Sequence, residues 1–149
     1  MSGLLVNMAE LNIDAKDLIV GRMGSHVAKQ VLLGHSVNIF NCEKAVMTGT
    51  PRYNVAQYGY LIRETGQPQT GPFLARQPDR FVRRQIRGML PHKKTRGAEA
   101  WKRIMCYIGV PDEFKSRKLQ SLDFAHVRHK KTMKLITIGE ICKSLGGKF

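Results

Sequence analysis

No stretch of about 18 uncharged apolar residues, the length that a membrane-spanning helix requires, occurs in this 149-residue sequence. The first residues, Met-Ser-Gly-Leu-Leu-Val-Asn-Met, also lack the basic start and the long apolar stretch of a secretory signal peptide. We therefore expect a cytoplasmic protein without a membrane partner. A length of 149 residues is typical of one domain, and we expect residues 1–149 to fold as a single unit.

Cysteine is too scarce for a disulfide framework or a zinc knuckle. Cys42, Cys106 and Cys142 are widely spaced and form no CxxC pair. We expect three reduced, buried thiols, with Cys106 as an inert member of an apolar strand. His126 and His129 stand among basic residues whose positive charge disfavours a bound cation. The sequence therefore predicts no metal site.

Signatures of nucleotide cofactors are missing as well. Gly21 and Gly24 follow an apolar run and open a predicted helix, but the GxGxxG pattern is not matched. Phe40 and Asn41 stand where an acidic residue would hold a ribose, and no phosphate-binding loop ends in Lys-Ser or Lys-Thr. We expect no cofactor, and we attribute the two glycines to close packing of a helix on a strand.

Acidic residues are few: 11 Asp and Glu face 25 Lys and Arg, which gives a formal net charge of +14. Residues 1–50 hold four basic and four acidic groups, so the whole excess lies in residues 51–149. Two segments, 76–103 and 115–134, carry most of it. Because such an excess repels itself in a compact chain, it predicts a polyanionic partner, either nucleic acid or anionic lipid.

The apolar pattern predicts a parallel α/β fold. Residues 18–20 predict a strand, the helical spacing that follows ends at Gly34, and residues 36–40 predict a second strand. A strand, a helix and a strand in this order imply parallel pairing with a right-handed crossover. The five apolar residues 104–108 predict a further strand of this sheet, buried on both faces.

Turn and cap residues set the remaining elements. Thr50 and Pro51 predict the start of a helix, and the Gly- and Pro-rich residues 64–78 predict a loop. The spacing of Thr137 and Glu140 is that of a capping box, which predicts a short helix near the C-terminus.

Residues 78–90 show the clearest helical pattern. At 100° per residue, Val82, Ile86 and Met89 fall on one arc, between about 80° and 140°. The opposite arc, between about 200° and 300°, holds four arginines and no acidic residue: Arg80, Arg83, Arg84 and Arg87. A guanidinium group donates two parallel hydrogen bonds to a phosphate, so this face is suited to an RNA backbone.

A basic turn follows this helix, and it has few apolar side chains with which to anchor itself. His92, Lys93, Lys94 and Arg96 lie in the turn, which ends at Gly97. The pattern predicts a short helix over 98–102, which contains Trp101 and Lys102. We interpret Trp101 as a packing residue rather than as a platform on which bases stack.

Three stretches resemble the large-subunit ribosomal protein family numbered thirteen, in its archaeal-type form. They are residues 21–29 (Gly-Arg-Met-Gly-Ser-His-Val-Ala-Lys), residues 37–49, and residues 87–97, which run from Arg-Gly-Met-Leu-Pro to Arg-Gly. The resemblance implies a three-layer α/β/α domain with a parallel four-stranded sheet. It implies a core over about 14–110, followed by a basic C-terminal extension over about 111–149.

The resemblance also implies a function without catalysis. The chain would be a structural constituent of the large ribosomal subunit in the cytoplasm, and it would bind large-subunit rRNA and support assembly and translation. Its partners would be this RNA and neighbouring large-subunit proteins, with no small-molecule substrate and no homo-oligomer. The predicted rRNA-binding residues are Arg80, Arg83, Arg84, Arg87, His92, Lys93, Lys94, Arg96, Lys102, Arg128, Lys130 and Lys131, with Arg22 and Lys29 as minor contributors.

Two alternatives from other functional classes remain. The first is a small nucleotide- or RNA-modifying enzyme that uses the cleft at the strand ends of a parallel sheet. Such an enzyme needs an acid, a base or a nucleophile converging on that cleft, and the sequence shows no such group. The second is a protein held on a membrane surface by polybasic attraction, but its helix would need an exposed apolar face that the predicted core already uses.

Overall fold

The computed structural model describes residues 9–131 and 134–149. Its helices are α1 (Val20–Leu32), α2 (Pro51–Arg63), α3 (Pro78–Arg87), α4 (Thr95–Lys102) and α5 (Ile138–Ser144). Its strands are β1 (Glu10–Asp14), β2 (Ser36–Phe40), β3 (Val46–Thr48), β4 (Ile104–Cys106) and β5 (Leu135–Thr137). Four single 3-10 turns complete the regular structure of the described residues: Cys42–Lys44, Asp112–Phe114, Asp123–Ala125 and Val127–His129.

The predicted parallel sheet is present, with strand order β1-β2-β4. Ile13 pairs with Ile39, and Val37 pairs with Ile104, so the central strand β2 is hydrogen-bonded on both sides. Val37, Ile39 and Phe40 are fully buried, as expected for a strand covered on both faces. Within the described residues this sheet has three strands, and an isolated parallel bridge joins Ile13 to Gln120 beyond β1.

The strand predicted at residues 18–20 was wrong. Leu18 and Ile19 form only isolated bridges, and α1 already begins at Val20. The strand that pairs with β2 is β1, at Glu10–Asp14. The run 18–20 is apolar because it leads into α1 through the hydrophobic core. The predicted strand, helix and parallel strand are therefore present, but with an earlier first strand.

Burial of β4 also differs from the prediction. Ile104 and Cys106 are buried, whereas Met105 between them is 42% exposed. Successive side chains of a strand point to opposite faces of the sheet, so this alternation shows that one face of β4 is not fully covered. The prediction that the strand joins the same sheet is confirmed, and the prediction of burial on both faces is wrong.

The end of the chain is part of the hydrophobic core. β5 pairs antiparallel with β3, and the predicted capping box starts α5, with Thr137 and Glu140 each accepting the other's backbone N–H at 3.2 and 3.1 Å. Ile138 and Ile141 of α5 are fully buried. Residues assigned from the resemblance to a C-terminal extension therefore complete the core in this structure.

All three cysteines are free and buried, as predicted. Burial, with a smaller effect of the nearby Asp79 carboxylate, raises the pKa of the Cys142 thiol from 9.0 to about 12. A hydrogen bond with the Cys106 thiol and burial raise the pKa of Cys42 well above its ordinary value. The thiols of Cys42 and Cys142 are thus held in the neutral form.

Candidate nucleic-acid interface

Helix α3 presents its arginines on the side away from the core. Phe81, Val82 and Ile86 are fully buried and pack the helix against the interior, as the periodicity predicted. Met89 was predicted on the same arc but is 41% exposed, because α3 ends at Arg87 and the chain turns away from the helix after it.

The inner face of α3 also contacts α2. Tyr58 lies edge-on to Phe81, with ring centres 4.9 Å apart, and its hydroxyl accepts a hydrogen bond from the Gln85 amide at 3.3 Å. Burial raises the pKa of Tyr58 above 10.0, and the Gln85 hydrogen bond partly opposes this shift. The contact orients α3 between the core and α2.

Within the described ranges, two of the four arginines make defined contacts with other parts of the protein. The guanidinium carbon of Arg83 lies 4.2 Å from the centre of the Trp101 ring. Arg84 donates a hydrogen bond from Nη1 to the carbonyl oxygen of Phe73 at 3.0 Å, which ties the loop before α3 to the helix. Trp101 is half-buried and packs against the core, in keeping with its interpretation as a packing residue.

None of the four arginines has a carboxylate partner among the described residues. The ion pairs there are Lys115–Asp112, Arg117–Glu10, Arg128–Asp123 and His129–Asp123, and none of them involves a residue of α3 or of the turn that follows it. The positive charge of this surface is therefore not neutralised inside the described part of the protein. A surface of this kind attracts phosphates from solution.

The basic turn is positioned by the backbone around it. Lys94 N–H donates to the Pro91 carbonyl, and Ala98 N–H donates to the Lys94 carbonyl, both at 2.9 Å. Gly97 lies so close to Pro91 that a Cβ atom on it would stand 2.1 Å from the Pro91 oxygen. The turn is thus pressed against the first turn of α4. The predicted RNA-binding residues on it are all exposed: His92, Lys93, Lys94 and Arg96.

Lys102 is exposed at the end of α4, as an RNA-binding residue would need to be. The next residue, Arg103, was not predicted to bind RNA, and it donates a hydrogen bond to the Val31 carbonyl oxygen at 3.1 Å. On α1, both predicted minor contributors, Arg22 and Lys29, are exposed.

The predicted residues near the C-terminus lie in different surroundings. Arg128 pairs with Asp123, so part of its charge is already compensated. Lys130 is half-buried and Lys131 is exposed. This segment packs beside the start of α1, where Val127 N–H donates to the Asp17 carbonyl at 3.0 Å. It forms a second basic region with its own acidic partner.

A shallow cavity of about 260 Å³ lies beside α3. Its walls include all four predicted arginines of the helix together with Phe73 and Trp101. Phe73, which is 72% exposed, was not predicted from the sequence, because the pattern of a Gly- and Pro-rich loop does not indicate whether an aromatic residue in it is buried. The arginine periodicity located the rest of the cavity.

The residues described by the structure contain no group of three or more His, Cys, Asp or Glu side chains able to hold a metal ion. Across the same ranges, 9–131 and 134–149, none of the helices has the length and apolar character needed to cross a membrane.

The mixed fold and the concentration of arginines without carboxylate partners define a basic α/β protein with one face suited to a polyanion. Residues 9–113 match the family described as ribosomal protein L13, and the chain belongs to this family. Archaeal proteins are among those similar to it, in agreement with the archaeal-type resemblance of the sequence.

Individual relatives cover nearly the whole chain. The large ribosomal subunit protein uL13 of Methanococcoides burtonii is 40% identical over 137 residues, which are 92% of this chain and 98% of the relative. The protein of the same name from Methanosarcina barkeri is 41% identical over 138 residues, with the same two coverages. The one from Haloarcula marismortui is 38% identical over 138 residues, covering 93% of this chain and 92% of the relative.

Proposed function

We propose that the protein is a structural constituent of the large ribosomal subunit, and that it binds rRNA through α3 and the turn after it. The observation that carries this proposal is the row of four arginines on α3 without a carboxylate partner among the described residues. The names of the relatives support the ribosomal setting, since each is a large ribosomal subunit protein.

Binding would act through charge neutralisation and shape. Each Arg or Lys that meets a phosphate releases counterions, which provides affinity without reading sequence. The planar guanidinium groups on α3 would hold phosphates through paired hydrogen bonds, and the exposed Lys93 and Lys94 would add mobile point charges. The protein would thereby hold neighbouring RNA segments together during subunit assembly.

The proposed contact residues fall into two groups. The first group is Arg80, Arg83, Arg84, Arg87, His92, Lys93, Lys94, Arg96 and Lys102. The second group is Arg128, Lys130 and Lys131, and here the pairing of Arg128 with Asp123 reduces the expected contribution. Arg22 and Lys29 on α1 would contribute least.

The same proposal includes the finer architecture implied by the family. Residues 1–149 would act as one domain, and the segment around Gln120 would stand at the place of a fourth parallel strand beside β1. The parallel bridge between Ile13 and Gln120 and the hydrogen bond from Asp14 N–H to the Gln120 carbonyl, at 2.9 Å, support this place. The helices would then form layers on the two faces of the sheet.

Proteins of this family are structural rather than enzymatic, so the alternative of a nucleotide- or RNA-modifying enzyme is set aside. The protein would reside in cytoplasmic ribosomes, with rRNA and neighbouring ribosomal proteins as its partners. We propose one copy in each subunit rather than a homo-oligomer.

The test uses residues whose removal leaves the internal contacts intact. Arg83 and Arg84 hold Trp101 and Phe73, so a variant with Arg80, Arg87 and Lys93 changed to Gln is a cleaner probe of RNA binding. The matched control changes three exposed lysines elsewhere to Gln: Lys16, Lys44 and Lys148. Both variants lose the same charge.

Binding to purified large-subunit rRNA would be measured over a range of salt concentrations. Six to ten phosphate contacts predict a slope of about −4 to −9 for the logarithm of affinity against the logarithm of salt concentration. The probe variant should lower the magnitude of this slope by about 2 to 3, whereas the control should change it by less than about 1. An equal loss in both variants would refute α3 as the binding face.

A further inference from the structure

We propose that the cavity formed by Phe73, Trp101 and the four arginines of α3 takes one unpaired base of the bound RNA. This inference rests on the proposed function, and it assigns a second kind of recognition to the same surface. The arginines would hold the phosphates on either side of a base that has left its helix, and the aromatic wall would hold the base itself.

Phe73 lies in a position suited to stacking on a base. Phe73 is 72% exposed, more than any other large apolar residue that the structure describes as exposed, and it lines a cavity together with four arginines. Water is a poor environment for a phenyl ring. An aromatic ring beside cationic groups is the arrangement with which proteins stack unpaired bases of single-stranded RNA.

Phe73 is also held in place by the helix beside it. Arg84 donates its hydrogen bond to the backbone oxygen of Phe73, so the loop is fixed to α3 at the residue that carries the ring. A stacking platform costs less ordering when it is already positioned before the ligand arrives. The same bond leaves the other donors of the Arg84 guanidinium group available to a phosphate.

Arg83 and Trp101 also suit this cavity to a base. They form a stacked pair on the cavity wall, with the guanidinium carbon 4.2 Å from the ring centre. The Arg83 Nε atom is buried and has no hydrogen-bond partner within residues 9–131 and 134–149. A buried N–H without a partner is rare, and an acceptor on the edge of a base would satisfy it.

Size and charge indicate one base rather than a larger ligand. The cavity of about 260 Å³ is smaller than the roughly 300–1,000 Å³ of pockets that enclose whole small-molecule ligands. No carboxylate is among the residues that line it. A larger cavity of about 480 Å³ lies over the loop residues 63–70, but its lining has one charged side chain, Arg63, and no aromatic ring.

The chain carries its own reporter for this proposal, because Trp101 is the single tryptophan of the sequence. The full-length protein would be titrated with an oligouridylate of about six nucleotides, within the usual length range of single-strand sites. Parallel titrations would use a blunt RNA duplex without unpaired bases, and pyrophosphate. A base in the cavity should quench Trp101 fluorescence with the single strand but not with the duplex or pyrophosphate.

Phe73→Ala should weaken binding of the oligouridylate about 10-fold, the effect of losing one base-stacking ring, and should leave duplex binding within about twofold. Tyr53→Ala is the matched control, since Tyr53 is 62% exposed on α2 and does not line the cavity. It should leave both affinities unchanged.

The outcomes separate the two proposals. Duplex binding without single-strand quenching, or equal effects of Phe73→Ala and Tyr53→Ala, would overturn the base-binding cavity and leave the proposed function standing. Absence of binding to the duplex, to the single strand and to large-subunit rRNA would overturn the proposed function itself. Quenching by pyrophosphate alone would show that the cavity binds phosphate and not a base, and would also overturn this inference.

Discussion

The guanidinium carbon of Arg83 lies 4.2 Å from the centre of the Trp101 ring and thereby joins α3 to α4. An arginine that was predicted only as an RNA contact therefore also stabilises the folded protein. Arginine can do both, because its flat group stacks on a ring while its N–H donors point outward in the plane. Substitutions at this position need to separate the two roles.

Arg83→Ala is expected to lower the free energy of unfolding by about 1 to 2 kcal/mol. The cation–π contact contributes about 0.5 to 1 kcal/mol at a partly exposed position, and the side-chain stem adds packing on the ring. Urea unfolding followed by Trp101 fluorescence measures the change. Arg80→Ala is the control, because Arg80 is exposed. Its unfolding free energy should stay within about 0.5 kcal/mol of the parent, and a larger loss than for Arg83→Ala would contradict the assignment.

Gly97→Ala is expected to destabilise the protein and displace the basic turn. Alanine in a helix is normally more favourable than glycine by about 0.8 to 1 kcal/mol. At Gly97 the added Cβ would lie 2.1 Å from the Pro91 carbonyl oxygen, so the backbone must shift. We expect the free energy of unfolding to fall by about 1 to 3 kcal/mol.

Gly88→Ala provides the comparison for this prediction. Its Cβ would meet nothing nearer than the Gln85 carbonyl oxygen at 3.4 Å, and its φ of −62° suits any residue. Denaturant midpoints of the two variants should therefore differ clearly, with Gly88→Ala close to the parent. A Gly97→Ala protein as stable as the parent would show that the turn is not pressed against α4.

Stability is expected to fall as the pH rises above about 9. The Cys142 thiol has its pKa raised from 9.0 to about 12 in the folded protein, chiefly by burial. Between these values the unfolded chain releases a proton that the folded chain keeps. This contribution is therefore complete below pH 9 and is lost as the pH approaches 12. The maximum slope for one such group is about 1.4 kcal/mol per pH unit.

Urea unfolding between about pH 8 and about pH 10.5, a range that extends from about one unit below to about one and a half units above the ordinary thiol pKa of 9.0, measures this effect. Cys142→Ala should have a shallower dependence on pH, because the raised pKa is removed with the thiol. Cys42 and Tyr58 also have raised pKa values, so part of the dependence should persist in the variant. An unchanged slope in Cys142→Ala would count against the neutral, buried thiol.

Sequence reasoning succeeded where one face of an element decides its environment. The periodicity of α3 placed Phe81 and Ile86 inward and the arginines outward, and the Thr137 capping box marked the start of α5. The strand prediction failed at residues 18–20, because a short apolar run has the same pattern in a strand and in a buried segment that leads into a helix. β1 was missed because its polar residues Asn12 and Asp14 weaken the apolar signal.

The candidate interface was predictable only in part. The charges that line the cavity follow from helical spacing, but the role of Phe73 depends on how a loop without regular structure folds back over α3. The contact of Arg83 with Trp101 joins two helices, and no periodicity within one helix reports it. Long-range contacts of this kind require the fold.

The place of α5 in the core has a consequence for the order of synthesis. Ile138 and Ile141 fill the interior beside residues made much earlier, and β5 completes a sheet begun at β3. A nascent chain that has emerged only through α4 would leave an apolar hollow open to water. Because translation adds about 5 to 20 residues per second, these core residues stay exposed to water for a few seconds. The core is complete only after the last residues of the chain have been synthesised.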